Sequence, residues 1–193
     1  MVKLDDASLE FAKEFLLSQG DSDLFPTPFE IKAIDKEWGT IKTELLSKDM
    51  NQNKYNWMGG RRSVIPKGTN SFRVGTQLNP IDSLVLTSLI YQYGSHIENN
   101  RVPIAENKVF SYRFKSNSST VYDENVNWNN FWEKSIENAE RIPDGCVLVA
   151  DISDFYNQIY HHTLENELLE AKVPNEIVKL IIALLMKLTK WGF

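Results

Sequence analysis

Cysteine is nearly absent. Cys146 is the only one in 193 residues, which excludes an internal disulfide framework and any multi-cysteine zinc or iron–sulfur centre. Long apolar runs are missing too. The longest, Leu180 to Met186, is seven residues, against the roughly 20 that a membrane-spanning helix needs. Residues 1–10 hold early acids and no apolar stretch of the kind a signal peptide carries. These absences predict a chain that makes no use of membrane and works in the reducing cytoplasm. There is no internal repeat and no low-complexity segment. A net positive charge is also lacking. The chain has 21 basic and 26 acidic residues, a balance of −5, so contact with nucleic acid must rest on a local basic patch.

Such a patch is present. Between Met50 and Ile81 there is no acid, while Lys54, Arg61, Arg62, Lys67 and Arg73 are all basic. Within this stretch, residues 63–65 and 72–76 read as two short strands around the turn Lys67-Gly68-Thr69-Asn70. Helical periodicity predicts a helix over 8–18, a second carrying Ile31, Ile34, Trp38, Ile41 and Leu45, and one from Pro80 to about Glu98. Residues 108–114 read as a strand, 116–130 as a polar loop, and 128–139 as a helix. The unbroken run Cys146-Val147-Leu148-Val149-Ala150 predicts a strand buried on both faces, with Cys146 an inert core residue. Helices over 162–172 and 175–190 follow, the apolar face of the last one forming core. The predicted class is α+β, in segments 1–50 (helical), 51–141 and 142–193.

Two features carry chemistry. The first is Asp151, at the end of the predicted buried strand, where a rigid carboxylate and its neighbour's carbonyl suit magnesium and substrate phosphates. A cap on the following turn is the other reading of the same residue. The second is the basic hairpin, which places Lys67 and Arg73 on either side of a tight turn. Lys as a point charge and Arg as a fork can clamp a triphosphate or a nucleic-acid backbone; a solvated hairpin tip is the alternative. His161-His162 diverge on a helix start and read as packing or capping residues rather than ligands. Asp5-Asp6 read as a helix N-terminus, and Trp57 as core rather than a base-stacking ring. Arg113 faces either a template or an internal acid.

Taken together in order, the hairpin with Lys67 and Arg73, the helix after Pro80-Ile81-Asp82, the stretch Val109 to Phe114, and the run Ala150-Asp151-Ile152-Ser153-Asp154-Phe155-Tyr156-Asn157-Gln158-Ile159-Tyr160-His161-His162 followed by Leu164 resemble a reverse transcriptase. The likeness is to the bacterial defence-associated, abortive-infection type, relatives of retron and group II intron enzymes, and it runs from about Gly60 to Leu168.

The resemblance implies helix-rich fingers with a basic β-hairpin, plus the first part of a palm. It implies that Asp151 is a catalytic aspartate and ligand to Mg²⁺, with the Ile152 carbonyl as a further ligand. Asp154 and Phe155 would lie along the incoming triphosphate, and Tyr156 would act as the steric gate that excludes a 2′-hydroxyl. Lys67 and Arg73 would neutralise the triphosphate. Template, primer and deoxynucleoside triphosphates are the implied partners, and antiphage defence the implied setting. Two-metal transfer needs further carboxylates, and no aromatic-x-Asp-Asp motif follows Asp151 in this sequence. The expectation is therefore a fingers-and-partial-palm portion, inactive alone, whose remaining palm and thumb lie elsewhere. The competing readings are a non-catalytic nucleic-acid-binding or scaffold module and a general two-metal nucleotidyl transferase.

Overall fold

The computed structural model describes residues 2–20, 22, 24–117, 119–142, 144–152 and 155–189, with the backbone alone for 156 and 157. The first helix, α1 (Asp6–Gln19), starts at Asp5, whose carboxylate accepts from the Ser8 N–H at 2.7 Å. It ends at Gly20, held at φ 76°, a left-handed conformation that costs a glycine little. Asp5-Asp6 thus mark a helix N-terminus, as the sequence predicts. The helix predicted to run from Ile31 through Leu45 is two: α2 (Phe29–Lys36) and α3 (Trp38–Ser47), broken at Glu37. The break lies beside Gly39, a poor helix former, and the Trp38 indole N–H turns to donate to Glu10 of α1 at 2.9 Å.

Strands β1 (Gly60–Pro66) and β2 (Phe72–Leu78) form an antiparallel hairpin in which Val64 faces Val74 and Ile65 faces Arg73. Helix α4 (Pro80–Asn99) follows at once, capped by the Asn79 side chain with Pro80 in its first turn, where a missing N–H costs nothing. Then come α5 (Trp128–Glu140), closed by a reciprocal Asn127–Asn130 capping box, α6 (His161–Glu170) and α7 (Asn175–Thr189). The class is mixed α+β. Among the described residues no helix is long and apolar enough to cross a membrane.

The core is helical. It joins Leu9, Ala12 and Leu16 of α1 to Leu84, Val85 and Leu89 of α4, and to Ile177, Leu180 and Leu184 of α7. The α1–α4 contact is tight enough for the Ser88 hydroxyl to donate to the Ser8 carbonyl at 3.2 Å. Trp57 is buried in this core and its indole N–H donates to the Leu180 carbonyl at 2.9 Å. No described residue between Ile97 and Leu164 belongs to the core cluster. That long excursion is held separately, by Arg113. Its guanidinium pairs with Glu98 and donates to the Val102 carbonyl at 2.8 Å. Arg113 therefore faces an internal acid, resolving the two sequence readings.

Two predicted strands are absent. Residues 108–114 make only an isolated bridge, Phe114 to Tyr122. Tyr112 stands at φ 49°, which interrupts extended backbone. The Arg101 guanidinium also takes the Ser111 and Tyr112 carbonyls that a neighbouring strand would need, at 2.9 and 2.7 Å. Residues 146–150 form no strand either, and Leu148 is 88% exposed. A strand exists only against a partner, and β1 and β2 are spent on each other in a two-stranded sheet. Cys146 is correspondingly exposed rather than a core residue.

Candidate nucleic-acid interface

The hairpin is solvent-exposed along most of both faces. In its register, Arg61, Ile65 and Arg73 share one face, and Arg62, Val64, Val74 and Phe72 the other. The first face touches the body where Gly75 meets Ile65 and Phe25; a Cβ on Gly75 would come within 2.5 Å of the Ile65 side chain and 2.9 Å of the Phe25 ring. At the tip, the Lys67 N–H donates to the Ser71 carbonyl at 2.8 Å and Gly68 takes φ 71°. Lys67 and Arg73 flank this turn, both exposed, and neither has an ion pair among the described residues. Arg73 thus offers charge for phosphate on one face of the hairpin, and the exposed Val64, Phe72 and Val74 offer apolar surface for bases on the other, with Lys67 at the turn between them.

The base of the hairpin is anchored as firmly as its tip is free. Asp82, fully buried in the first turn of α4, accepts from the Gly59 N–H at 2.7 Å and the Tyr55 hydroxyl at 3.1 Å. Gly59 takes φ 94° there, and its carbonyl accepts from the Asn79 N–H at 2.8 Å. From the other side, Lys187 of α7 donates to the Trp57 carbonyl, and Arg62 donates to the Leu188 carbonyl at 2.7 Å. Burial pushes the Asp82 carboxyl up against the opposing pull of those donors, and it pushes the Tyr55 hydroxyl up as well. Sequence reasoning assigned Asp82 no role. An acid in a helix's first turn reads as a dipole partner, and nothing local signals the Tyr55 and Gly59 donors over twenty residues upstream.

The other predicted site residues fall on a different part of the chain. Asp151 and Ile152 lie on the exposed stretch after Gly145, outside any regular element. Phe155 opens a short 3₁₀ turn, Phe155–Gln158, that includes the Tyr156 backbone. Asp154 and the Tyr156 side chain lie outside the described residues. No hydrogen bond or ion pair joins Asp151 to Lys67 or Arg73 among the described residues. Nor, among them, do three His, Cys, Asp or Glu side chains gather as a metal site. Compared with known protein families, with curated proteins and with solved structures, the chain matches none.

Proposed function

We infer that this chain binds nucleic acid through the basic hairpin, as the fingers portion of a reverse-transcriptase-type polymerase. The observation that supports it is the pairing of a rigid base with an uncompensated tip. Asp82, Lys187 and Arg62 fix the hairpin to the helical core, while Lys67 and Arg73 have no ion pair among the described residues and lie in a stretch without one acid. A phosphate clamp needs cations whose charge is not already spent and whose position is not lost to entropy on binding. On this reading template, primer and deoxynucleoside triphosphate are the ligands. Asp151 and the Ile152 carbonyl would contribute to Mg²⁺ binding together with carboxylates from outside the described residues.

The test is fluorescence anisotropy with labelled single-stranded DNA and a primer–template duplex over a range of salt. Binding weakens steeply with salt, and Lys67→Ala with Arg73→Ala lowers the log–log slope on single strands by about 1.4. An unchanged slope returns the hairpin to a solvated tip. A non-catalytic binding module is the second reading, and the place of Asp151 on an exposed stretch outside any regular element favours it. Primer extension with Mg²⁺ separates the two: the chain alone extends no primer on either reading. The chain supplied with a polypeptide that carries the aromatic-x-Asp-Asp motif extends one only on the first.

A further inference from the structure

A groove of about 730 Å³ lies at the other chemical extreme from the hairpin, between the 108–113 segment, the 122–127 loop and the start of α5. Its walls are rings: Phe110, Tyr112, Tyr122, Trp128 and Phe131. They stand in tilted pairs rather than collapsed on one another. Tyr112 and Tyr122 have centroids 5.4 Å apart at 60°, and Trp128 and Phe131 5.2 Å apart at 39°. Trp128 is 70% exposed and Tyr112 68%, so these rings show solvent the faces that a core would bury. Backbone cost is accepted to keep one of them there, since Tyr112 is the residue held left-handed by the Arg101 fork.

The charges around the rings decide what such a groove takes. Lys108 is neutralised by Glu106 at 2.7 Å, Arg113 by Glu98, and Asp123 by Lys115 at 3.6 Å. Glu124 remains: it lines the groove, is exposed, and has no ion pair among the described residues. Helix α5, which forms one wall, adds Glu133 and Glu140 further along it, while Glu137 is spent on Lys134 and Arg141. Ring faces carry the negative side of the aromatic quadrupole. One uncompensated carboxylate beside several such faces is complementary to a cation and repels a phosphodiester.

We propose that this groove docks an extended segment of a partner protein by taking one of its arginine side chains between the rings. Arginine fits better than lysine because its planar, weakly hydrated guanidinium stacks on aromatic faces while its edge pairs with a carboxylate, here Glu124. The groove is far larger than one guanidinium, and the remainder receives the flanking backbone of the segment. The proposal is independent of the hairpin, whose positive charge would reject the same peptide.

The probe is a capped peptide alternating arginine and serine, six residues long, titrated into the ¹⁵N-labelled full chain. Saturable shifts are expected of the Trp128 indole signal and of that of Trp132, which stacks on Trp128 with centroids 6.4 Å apart. The same peptide with citrulline, which keeps the shape and loses the charge, leaves them in place. Trp128→Ala weakens binding by about tenfold and Glu124→Lys by at least as much. Both positions are exposed, and Glu124→Lys removes no ring. Lys67→Ala with Arg73→Ala leaves the affinity unchanged. Three results overturn the proposal: no saturable indole shift, equal binding of the citrulline peptide, or an affinity indifferent to Glu124→Lys. A deoxythymidine oligomer that shifts the same indoles more strongly than the peptide also overturns it, and reassigns the groove to unpaired bases.

Discussion

Asp82 is a carboxylate that the fold buries and then satisfies from the loop it has to hold. Truncating it orphans the Tyr55 hydroxyl and the Gly59 N–H inside the core, and each buried donor left without an acceptor costs about 1–3 kcal/mol. Asp82→Ala is expected to lower stability by about 3 kcal/mol, read by urea unfolding. Its pH dependence has a defined sign. A carboxyl whose folded pKa is raised above 3.8 binds its proton more tightly in the folded state, so its contribution is most favourable below that value. The contribution then declines as pH rises through the raised pKa. Glu10 behaves oppositely. The Lys42 ammonium and the Trp38 indole N–H hold it below its ordinary 4.5. The stability it confers is present above 4.5 and is lost as pH falls through the lowered pKa. Comparing unfolding midpoints at pH 3 and pH 6 for wild type and Glu10→Gln checks this, the variant losing less on acidification.

At the scale of elements, the Arg113–Glu98 pair does for the 98–123 excursion what Asp82 does for the hairpin. Arg113 is 2% exposed, so removing Glu98 strands a buried cation, a loss of about 3–5 kcal/mol. Glu98→Ala is expected to cost that much by denaturant titration. Glu98→Leu combined with Arg113→Met recovers part of it, because the buried Arg113 charge is gone while Arg101 and the Phe114 N–H still lose their Glu98 acceptor. Elements whose signals are local were legible in the sequence. The turn at 67–70, Asn79-Pro80 before α4, and the apolar spacing of α7 each state their own structure. The run 146–150 was misread because apolar content predicts burial only where a partner sheet exists, and no local pattern reports a missing partner. The 108–114 stretch was misread for a related reason: its carbonyls are claimed by Arg101, from another segment. The hairpin cations were legible as a cluster. Their anchor was not, since Asp82, Tyr55 and Lys187 meet only in three dimensions.

For the molecule as a whole, the two tiers of packing predict two tiers of stability. Helices α1, α4 and α7 share one continuous core, while the described part of the 98–163 excursion adds nothing to it. Amide hydrogen exchange should therefore be slowest in α1, α4 and α7. It should be fastest over 146–152, where no hydrogen bond is made among the described residues. That same stretch exposes Val147, Leu148 and Val149 in a row, an unpaired apolar edge of the kind that recruits other chains. Leu148→Lys is expected to reduce self-association in sedimentation or light scattering with no loss of unfolding midpoint, since the side chain packs against little.

The lone thiol sits at the head of that stretch. Because Cys146 is both unique and exposed, a nitroxide or an environment-sensitive dye can be attached there in one step without engineering any background cysteine away. Its spectrum would report on the residues leading to Asp151 and on nothing else. Narrow lines in the free protein that broaden when primer–template, Mg²⁺ or a second polypeptide is added would time the moment at which the segment finds a partner.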